Sequence, residues 1–239
     1  MRGIFAAGLF LFGALIACGQ QLHDSVTLLD GGFAPGGSNF RVTFGFSDLA
    51  MAPGSAKNPR ELAAPGTASP ACEWSSAHGA TARLEMCCLK QPMGLDDATL
   101  AVARLLLINP TDRPFKTTLA VAVSPQGAIH ALAFEKHAFF IDGRAVLVAD
   151  TPSRGAVLAA SPFEPRPLTP QDQAHVESAK GECRGEMLYD LVLMPGQTQT
   201  LGFICPVRLP GGKEPDLDFF RGLPVEDLFT TAKKDAAAR

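Results

Sequence analysis

The carboxylate pairs are the residues of this chain whose spacing comes nearest to acid–base chemistry. They are Asp96-Asp97, Asp216 with Asp218, and Glu226-Asp227. Glycoside hydrolysis uses two carboxyl groups held about 5 to 9.5 Å apart across a sugar-sized cleft. Neighbouring carboxylates in loops or at the start of a helix more often form turns or complement the helix dipole. We therefore predict that none of these pairs is catalytic.

Five histidines are candidate metal ligands or general bases, but their spacing fits neither role. They are His23, His78, His130, His137 and His175. No H-E-x-x-H motif occurs, and no two histidines have metal-ligand spacing on one predicted strand or helix. His130 and His137 flank ALAFEK, which leaves a surface metal site there as an alternative. The G-x-S-x-G motif, the P-loop and G-x-G-x-x-G are also absent, so we predict no catalytic residue, no cofactor and no metal.

Trp74 is the single tryptophan of the chain and a candidate platform for stacking a sugar ring. A lone tryptophan more often packs in a core or anchors a loop. Both interpretations remain open from the sequence, and they differ in whether the indole ring is exposed.

Six cysteines stand at positions 18, 72, 87, 88, 183 and 205. In an exported protein they are candidates for disulfides. Loss or lipidation of Cys18 leaves five, so at least one stays a thiol or pairs between chains. Cys87 and Cys88 are adjacent in a predicted strand and point to opposite faces. One of them is a candidate partner for Cys72, while the other packs as a small apolar residue. A redox or metal role for the pair is disfavoured against structural thiols, because C-x-x-C spacing is missing.

Cys183 and Cys205 lie on either side of Pro195-Gly196. If that turn is the centre of a regular hairpin, the residue opposite Cys205 is approximately Glu186. Cys183 then lies about three positions along the strand from the residue that faces Cys205. A Cys183–Cys205 bridge therefore needs a bulge or a loop.

The first twenty residues are typical of an export signal. Arg2 is their only charge, and an apolar run over residues 3–17 follows it. The run ends in Leu15-Ile16-Ala17-Cys18, which resembles a bacterial lipobox, so residues 1–18 are predicted to be a lipoprotein-type signal. A lipid on Cys18 would anchor the protein to a membrane without a transmembrane helix. Ordinary signal cleavage near Ala17 is the alternative.

The apolar patterns of the remaining chain predict strands and a single helix. Residues 19–39 read as a polar tether and residues 40–212 as the main domain, where FRVTFGF at 40–46 has the period-two alternation of a half-buried strand. Short apolar runs over 99–205 are separated by Pro, Gly, Asn and Asp, as in an antiparallel sandwich. Asp142-Gly143 predicts a type I′ hairpin. Residues 213–239 are predicted to be a linker and a helix from Val225, because apolar residues there recur at helical spacing.

Composition agrees with an all-β fold that does not bind nucleic acid. Apolar residues make up 46% of the chain, which is enough for a large core. The chain carries 24 acidic and 21 basic residues, without the basic stripe that nucleic-acid binding requires.

The block at 98–207 resembles a known domain through three segments. They are LLLINPTDRPFKTTLAVAV, FFIDGRAVLVADTPSRGAVLA and LYDLVLMPGQTQTLGFICPV. Together they resemble the N-terminal super-sandwich domain of bacterial proteins related to six-hairpin glycosidases. In that family a linker helix leads into an (α/α)₆ barrel that carries the catalytic carboxylates, and the predicted helix from Val225 resembles the linker.

The resemblance implies a large antiparallel β-sandwich of the super-sandwich kind with no catalytic residue of its own. We expect an exported accessory domain, or a truncated N-terminal domain, of a glycosidase-like carbohydrate-processing system. Its expected partners are a carbohydrate or a separately encoded (α/α)₆ catalytic domain. The alternatives are a cell-envelope lipoprotein that acts as a structural or protein-interaction module, and an enzyme whose site is assembled from dispersed residues.

Overall fold

The computed structural model describes residues 21–22, 26–29, 31–46, 60–61, 71–75, 79–93, 96–162, 169–209 and 217–237. The predicted signal at 1–18 and the lipidation candidate Cys18 lie outside these residues. The described part is an all-β sandwich of two antiparallel sheets with a C-terminal helix, which confirms the predicted fold class.

Among the described residues, one sheet has seven strands in the order β1-β2-β3-β4-β9-β15-β13. Its strands are β1 Gln21–Leu22, β2 Val26–Leu29, β3 Gly32–Pro35, β4 Phe40–Phe46, β9 Phe115–Pro125, β13 Gly155–Ala159 and β15 Arg184–Leu193. The other sheet has nine strands within the described ranges, in the order β14-β10-β11-β12-β16-β8-β7-β6-β5. Its strands are β5 Arg60–Glu61, β6 Ala71–Ser75, β7 Thr81–Met93, β8 Asp96–Ile108, β10 Ala131–Glu135, β11 Ala138–Ile141, β12 Arg144–Ala149, β14 Gln173–Glu177 and β16 Thr198–Arg208. The helices are α1 Leu217–Arg221 and α2 Val225–Ala237.

The main core lies between the two sheets and is built by period-two alternation. Phe44 of β4 meets Phe203 of β16 with ring centroids 5.3 Å apart, and Tyr189 of β15 meets the same Phe203 ring at 6.2 Å. These rings therefore join the two sheets at the centre of the sandwich. Each fully buried Phe stabilises the fold by roughly 1.5–3 kcal/mol.

The predicted tether at 19–39 is wrong for its described part, because three strands of the seven-stranded sheet lie there. β2 and β3 form a hairpin around Gly31, whose φ is 69°. Phe33 is fully buried in the core, and β3 continues the sheet to β4. The short apolar strand β3 was not recognisable in the sequence, because polar residues surround it.

The two predicted turns differ in outcome. Asp142 and Gly143 both have positive φ, 49° and 80°, and join β11 to β12 as the predicted hairpin. The turn at Pro195-Gly196 is no hairpin, because β15 and β16 belong to different sheets. The chain crosses the sandwich there, so each strand buries one face against the other instead of pairing with it.

Asn109 lies in the connection from β8 to β9, which also crosses between the sheets. It joins this connection to the one from β15 to β16 by hydrogen bonds. Its side-chain Nδ2 donates to the carbonyl of Leu193 at 3.0 Å, and its Oδ1 accepts from the hydroxyl of Thr111 at 2.6 Å. Its backbone N–H donates to Gln197 O, and its own carbonyl accepts from Gly196 N–H. Asn109 is fully buried with its polar groups bonded, which is the condition for a buried amide to be stable.

The helices form a third layer on the outer face of the nine-stranded sheet. Val225, Leu228, Phe229 and Ala232 of α2 pack with Phe220 of α1 in a second core. The predicted helix is therefore confirmed through Ala237, whereas α1 was not predicted. In the described part neither helix has the length and apolar character that crossing a membrane requires.

Candidate functional site

Arg104 is the centre of a charged cluster where α2 meets the nine-stranded sheet. On β8 it lies directly between Glu85 of β7 and Gly202 of β16. Its Nε donates to Glu85 at 3.0 Å, and its two Nη groups bind Glu85 and Glu226. The guanidinium carbon lies 4.6 Å from the ring centre of Phe229, a cation–π contact. One side chain thus joins two strands to the helix.

The electrostatics of this cluster favour the charged form of Arg104. Burial alone would lower its pKa, but the hydrogen bonds and charges of Glu85 and Glu226 raise it above the ordinary value. Glu85 is buried and also forms an ion pair with Arg83, whose Nη2 lies 2.8 Å from Glu85 Oε1. The Glu226 carboxylate, in contrast, is largely exposed. A buried carboxylate with two guanidinium partners is satisfied as a structural ion pair. The cluster therefore holds α2 in place, with the carboxylates of Glu85 and Glu226 both engaged in ion pairs.

Gly202 allows α2 and Asp150 to lie close to the sheet. A Cβ atom at this position would meet Asp150 Oδ2 at 2.2 Å and Val225 Cγ2 at 2.6 Å, well inside contact distance. Asp150 accepts the N–H of Gly202 at 2.9 Å. The glycine therefore creates the space in which the first turn of α2 sits.

The predicted carboxylate pairs are spread over the structure. Asp97 is exposed near the start of β8, and Asp218 of α1 forms an ion pair with Arg221 at 3.5 Å. Glu226 binds Arg104, while Asp227 is exposed in the first turn of α2. Asp216 lies outside the described residues. The structure therefore places Asp97 within a strand, and Asp218, Glu226 and Asp227 in helices, where the first two also form ion pairs.

The histidines also lie apart. His130 Nδ1 contacts Ser178 O, and His175 contacts Glu177 on the exposed edge strand β14. His137 Nδ1 lies 3.1 Å from Ser153 Oγ and also accepts the Ser153 N–H at 3.2 Å, so this contact fixes the loop after β12. Within the described ranges, no three His, Cys, Asp or Glu side chains form a group that could hold a metal ion. His23 and His78 lie outside those ranges.

Trp74 lies on β6, and its side chain belongs to the main core between the sheets. Only 4% of the residue is exposed. A sugar must contact the open face of an aromatic ring to stack on it, and this ring offers none. The sugar-stacking interpretation of Trp74 is therefore corrected in favour of core packing.

The Cys72–Cys88 bridge is excluded by strand geometry. Cys72 pairs with Leu84 on β7, four residues before Cys88. That separation is about 13 Å along a strand, whereas disulfides need Cα atoms about 4.4 to 6.8 Å apart. Cys87 faces the opposite core, as the sequence predicts for adjacent strand residues. Cys72 and Cys87 are buried on opposite faces of the nine-stranded sheet.

Cys183 and Cys205 do not face each other across a hairpin. Cys205 lies on β16 opposite Ala101 of β8, with Cys88 on the other side of that alanine. The Sγ of Cys183 donates to His130 O at 3.4 Å, so it is a thiol. Burial raises the pKa of the Cys88 thiol to about 12, and burial together with Cys88 raises that of Cys205. Raised pKa values make these two thiols poor nucleophiles.

A polar cluster on the seven-stranded sheet was not predicted. On its outer face, Arg154 Nη1 lies 3.3 Å from both carboxylate oxygens of Asp190, and Thr118 Oγ1 donates to the same carboxylate at 3.1 Å. Val192, two residues beyond Asp190, is 52% exposed, and Met194 is 54% exposed. The only sequence signal for this patch is the alternation in LYDLVLM, which puts Asp190 and Val192 on one face.

Comparison with known proteins does not assign this arrangement to a family: neither the models of known protein families nor the curated proteins contain a match.

Proposed function

We propose that this chain is an exported, non-catalytic β-sandwich module that accompanies a glycosidase-like carbohydrate-processing system. The single observation that carries the non-catalytic part is the Arg104 cluster. It contains Glu85, the buried charged residue among those that the structure describes, and the contacts of Arg104 with Glu85, Glu226 and Phe229 fasten α2 to the sheet. The carbohydrate part rests on the resemblance of residues 98–207 to a super-sandwich domain.

The experiment for this proposal uses the full chain and the product of the neighbouring reading frame. If that product is an (α/α)₆ barrel, the two proteins should co-purify, and the chain should raise hydrolysis of soluble polysaccharides by the barrel. A neighbouring barrel that neither binds nor responds to the chain would overturn the proposal.

Export and lipidation belong to the same proposal and have their own test. Cells that express the full chain would be labelled with radioactive palmitate. Incorporation that is lost in Cys18→Ala supports a lipid anchor. Cleavage of the segment without lipid supports ordinary secretion, and retention of residues 1–18 in the cytoplasm contradicts export.

The second candidate function is a structural or protein-interaction module of the cell envelope with no sugar role. The burial of Trp74 favours it, because the one tryptophan is unable to stack a sugar. Affinity electrophoresis in gels with soluble polysaccharides separates the two candidates. Retardation of the full chain supports the carbohydrate role, and unchanged mobility in all gels together with no barrel partner supports this one.

A further inference from the structure

The end of β15 beyond Leu188 is a strand edge. β13 begins at Gly155, which pairs with Leu188, whereas β9 accompanies β15 as far as Leu193. In the part of the chain that the structure describes, residues 190–193 consequently have a strand on one side only. Edges of this kind present backbone donors and acceptors that a further strand can use.

The backbone directions show which groups are available at this edge. The carbonyl of Leu188 accepts the N–H of Arg154 at 2.8 Å and so points away from β9. Because these directions alternate along a strand, the N–H and C=O groups of Asp190 and Val192 point to the same side. None of the described residues forms a backbone hydrogen bond with these groups there.

The side chains beside this edge combine apolar surface with a fixed guanidinium. Val192 and Met194 are the two exposed large apolar side chains among the described residues. Arg154 is held by Asp190, which Thr118 holds in turn. Met and Arg are enriched at protein interfaces, and a side chain that is already fixed loses less entropy on binding.

We propose that this end of β15 binds an extended segment of a partner protein, which adds to the sheet as a further strand. The main chain of the segment bonds to Asp190 and Val192, and an apolar side chain packs on Val192 and Met194. An acidic side chain of the segment lies against Arg154. This mode of recognition takes affinity from main-chain hydrogen bonds and specificity from alternate side chains.

Charge favours an acidic partner over a second copy of this chain. Lys116, which pairs with Val192, and Arg154 outweigh Asp190 by one positive charge at this edge. Two copies joined through the same patch would oppose like charges, which disfavours that pairing. A carbohydrate is disfavoured because backbone groups at strand spacing match another backbone, and the aromatic rings of Trp74 and Tyr189 are buried.

The inference rests on the module acting through a partner protein, as both candidate functions above allow. The test selects binders to the full chain from a displayed library of random short peptides and measures the affinity of the selected peptides. Val192→Pro removes the edge-facing N–H and spares the bonds to β9, because proline is tolerated on a strand edge. Val192→Thr keeps that N–H and is its matched control. Arg154→Gln removes the guanidinium, and Arg144→Gln is its matched control.

The expected peptides carry an acidic residue next to alternating apolar residues. Their affinity should fall at least about tenfold in Val192→Pro and in Arg154→Gln, since each change removes hydrogen bonds. It should change less than about threefold in Val192→Thr and not at all in Arg144→Gln. Circular dichroism of each variant checks that the fold is intact.

Selected peptides that bind Val192→Pro as well as the unchanged chain would overturn the inference, as would a selection that yields no binder. Polysaccharide binding that is lost in Arg154→Gln would also overturn it and identify the patch as a sugar site. The proposed function has its own readouts, which are polysaccharide binding and co-purification with the barrel. If these are unchanged in Val192→Pro, they support the proposed function even when the strand-addition inference fails, so the two failures are distinguishable.

Discussion

The outer faces of the two sheets are built differently. The nine-stranded sheet is covered by α1 and α2, with Phe229 in a second core and Arg104 paired with the buried carboxylate of Glu85. The seven-stranded sheet ends in an exposed patch, where Arg154 and Asp190 are about half exposed beside Val192. Both faces contain an arginine paired with a carboxylate. An arginine–carboxylate pair stabilises the fold where the carboxylate is buried, as at Glu85. It remains available to a partner where both side chains are exposed, as at Arg154 and Asp190.

The largest expected effect is the removal of the aromatic ring that α2 places on the sheet. Phe229→Ala deletes a fully buried side chain and the ring beneath Arg104, so unfolding should become easier by about 3–5 kcal/mol. Val192→Ala on the other face should change stability by less than about 0.5 kcal/mol. Urea denaturation followed by circular dichroism measures both. Equal losses in the free energy of unfolding for the two variants would show that both faces contribute equally to stability.

The two arginines provide the most direct comparison. Arg104→Ala leaves Glu85 buried with only Arg83, so we expect a loss of about 3 kcal/mol. Arg154→Ala breaks an exposed pair and should cost less than about 1 kcal/mol. The double variant Arg104→Met with Glu85→Leu should recover much of the loss, because it removes the buried charge as well. No recovery in denaturant titrations would contradict the role given to Glu85.

Gly202→Ala tests how closely α2 lies on the sheet. The added Cβ would meet Asp150 and Val225 inside contact distance, so α2 must shift, at a cost of about 1–3 kcal/mol. Gly222→Ala is the milder comparison, because a Cβ atom there would meet the carbonyl oxygens of Asp218 and Phe219 at 3.3 Å and 3.4 Å, which needs a far smaller shift. Hydrogen exchange of the α2 amides should rise in the first variant and stay the same in the second. Unchanged exchange in Gly202→Ala would mean that α2 is not held against this glycine.

The smallest expected effect concerns the exposed end of the Arg104 cluster. Glu226→Gln removes a largely exposed partner of Arg104 and a favourable charge in the first turn of α2. The loss in stability should be about 0.5 kcal/mol and should shrink as salt is added. Thermal unfolding at low and high ionic strength measures this. A loss as large as that of Arg104→Ala would show that Glu226, and not Glu85, dominates the cluster.

Period-two alternation and turn chemistry made much of the fold predictable. Strand β4 occupies the predicted residues 40–46, and Asp142-Gly143 forms the predicted hairpin. The helix from Val225 was recognisable by its apolar spacing. The strands at 21–35 were missed, because short segments with polar neighbours acquire their burial only from the strands that they join. The regular hairpin considered at Pro195-Gly196 does not form, because a tight turn does not reveal whether the next strand joins the same sheet.

The candidate site was less predictable than the fold. Arg104 and Glu85 are distant in sequence and meet only because β7 and β8 pair in register. Trp74 carried no signal that separates a buried ring from an exposed one, and the cysteine pairings depended on a register that the sequence left open. The patch at Arg154 and Asp190 needs three separate segments to come together.

The sequence by itself determined that this protein is an antiparallel β-sandwich with a terminal amphipathic helix, because local periodicity and turn residues act over a few neighbouring positions. Only the tertiary structure decided which strands share a sheet, where Trp74 and the cysteines lie, and which arginine pairs with a buried carboxylate. Those properties depend on contacts between residues far apart in the chain, and burial then determines whether a charged pair holds the fold together or remains available to a partner.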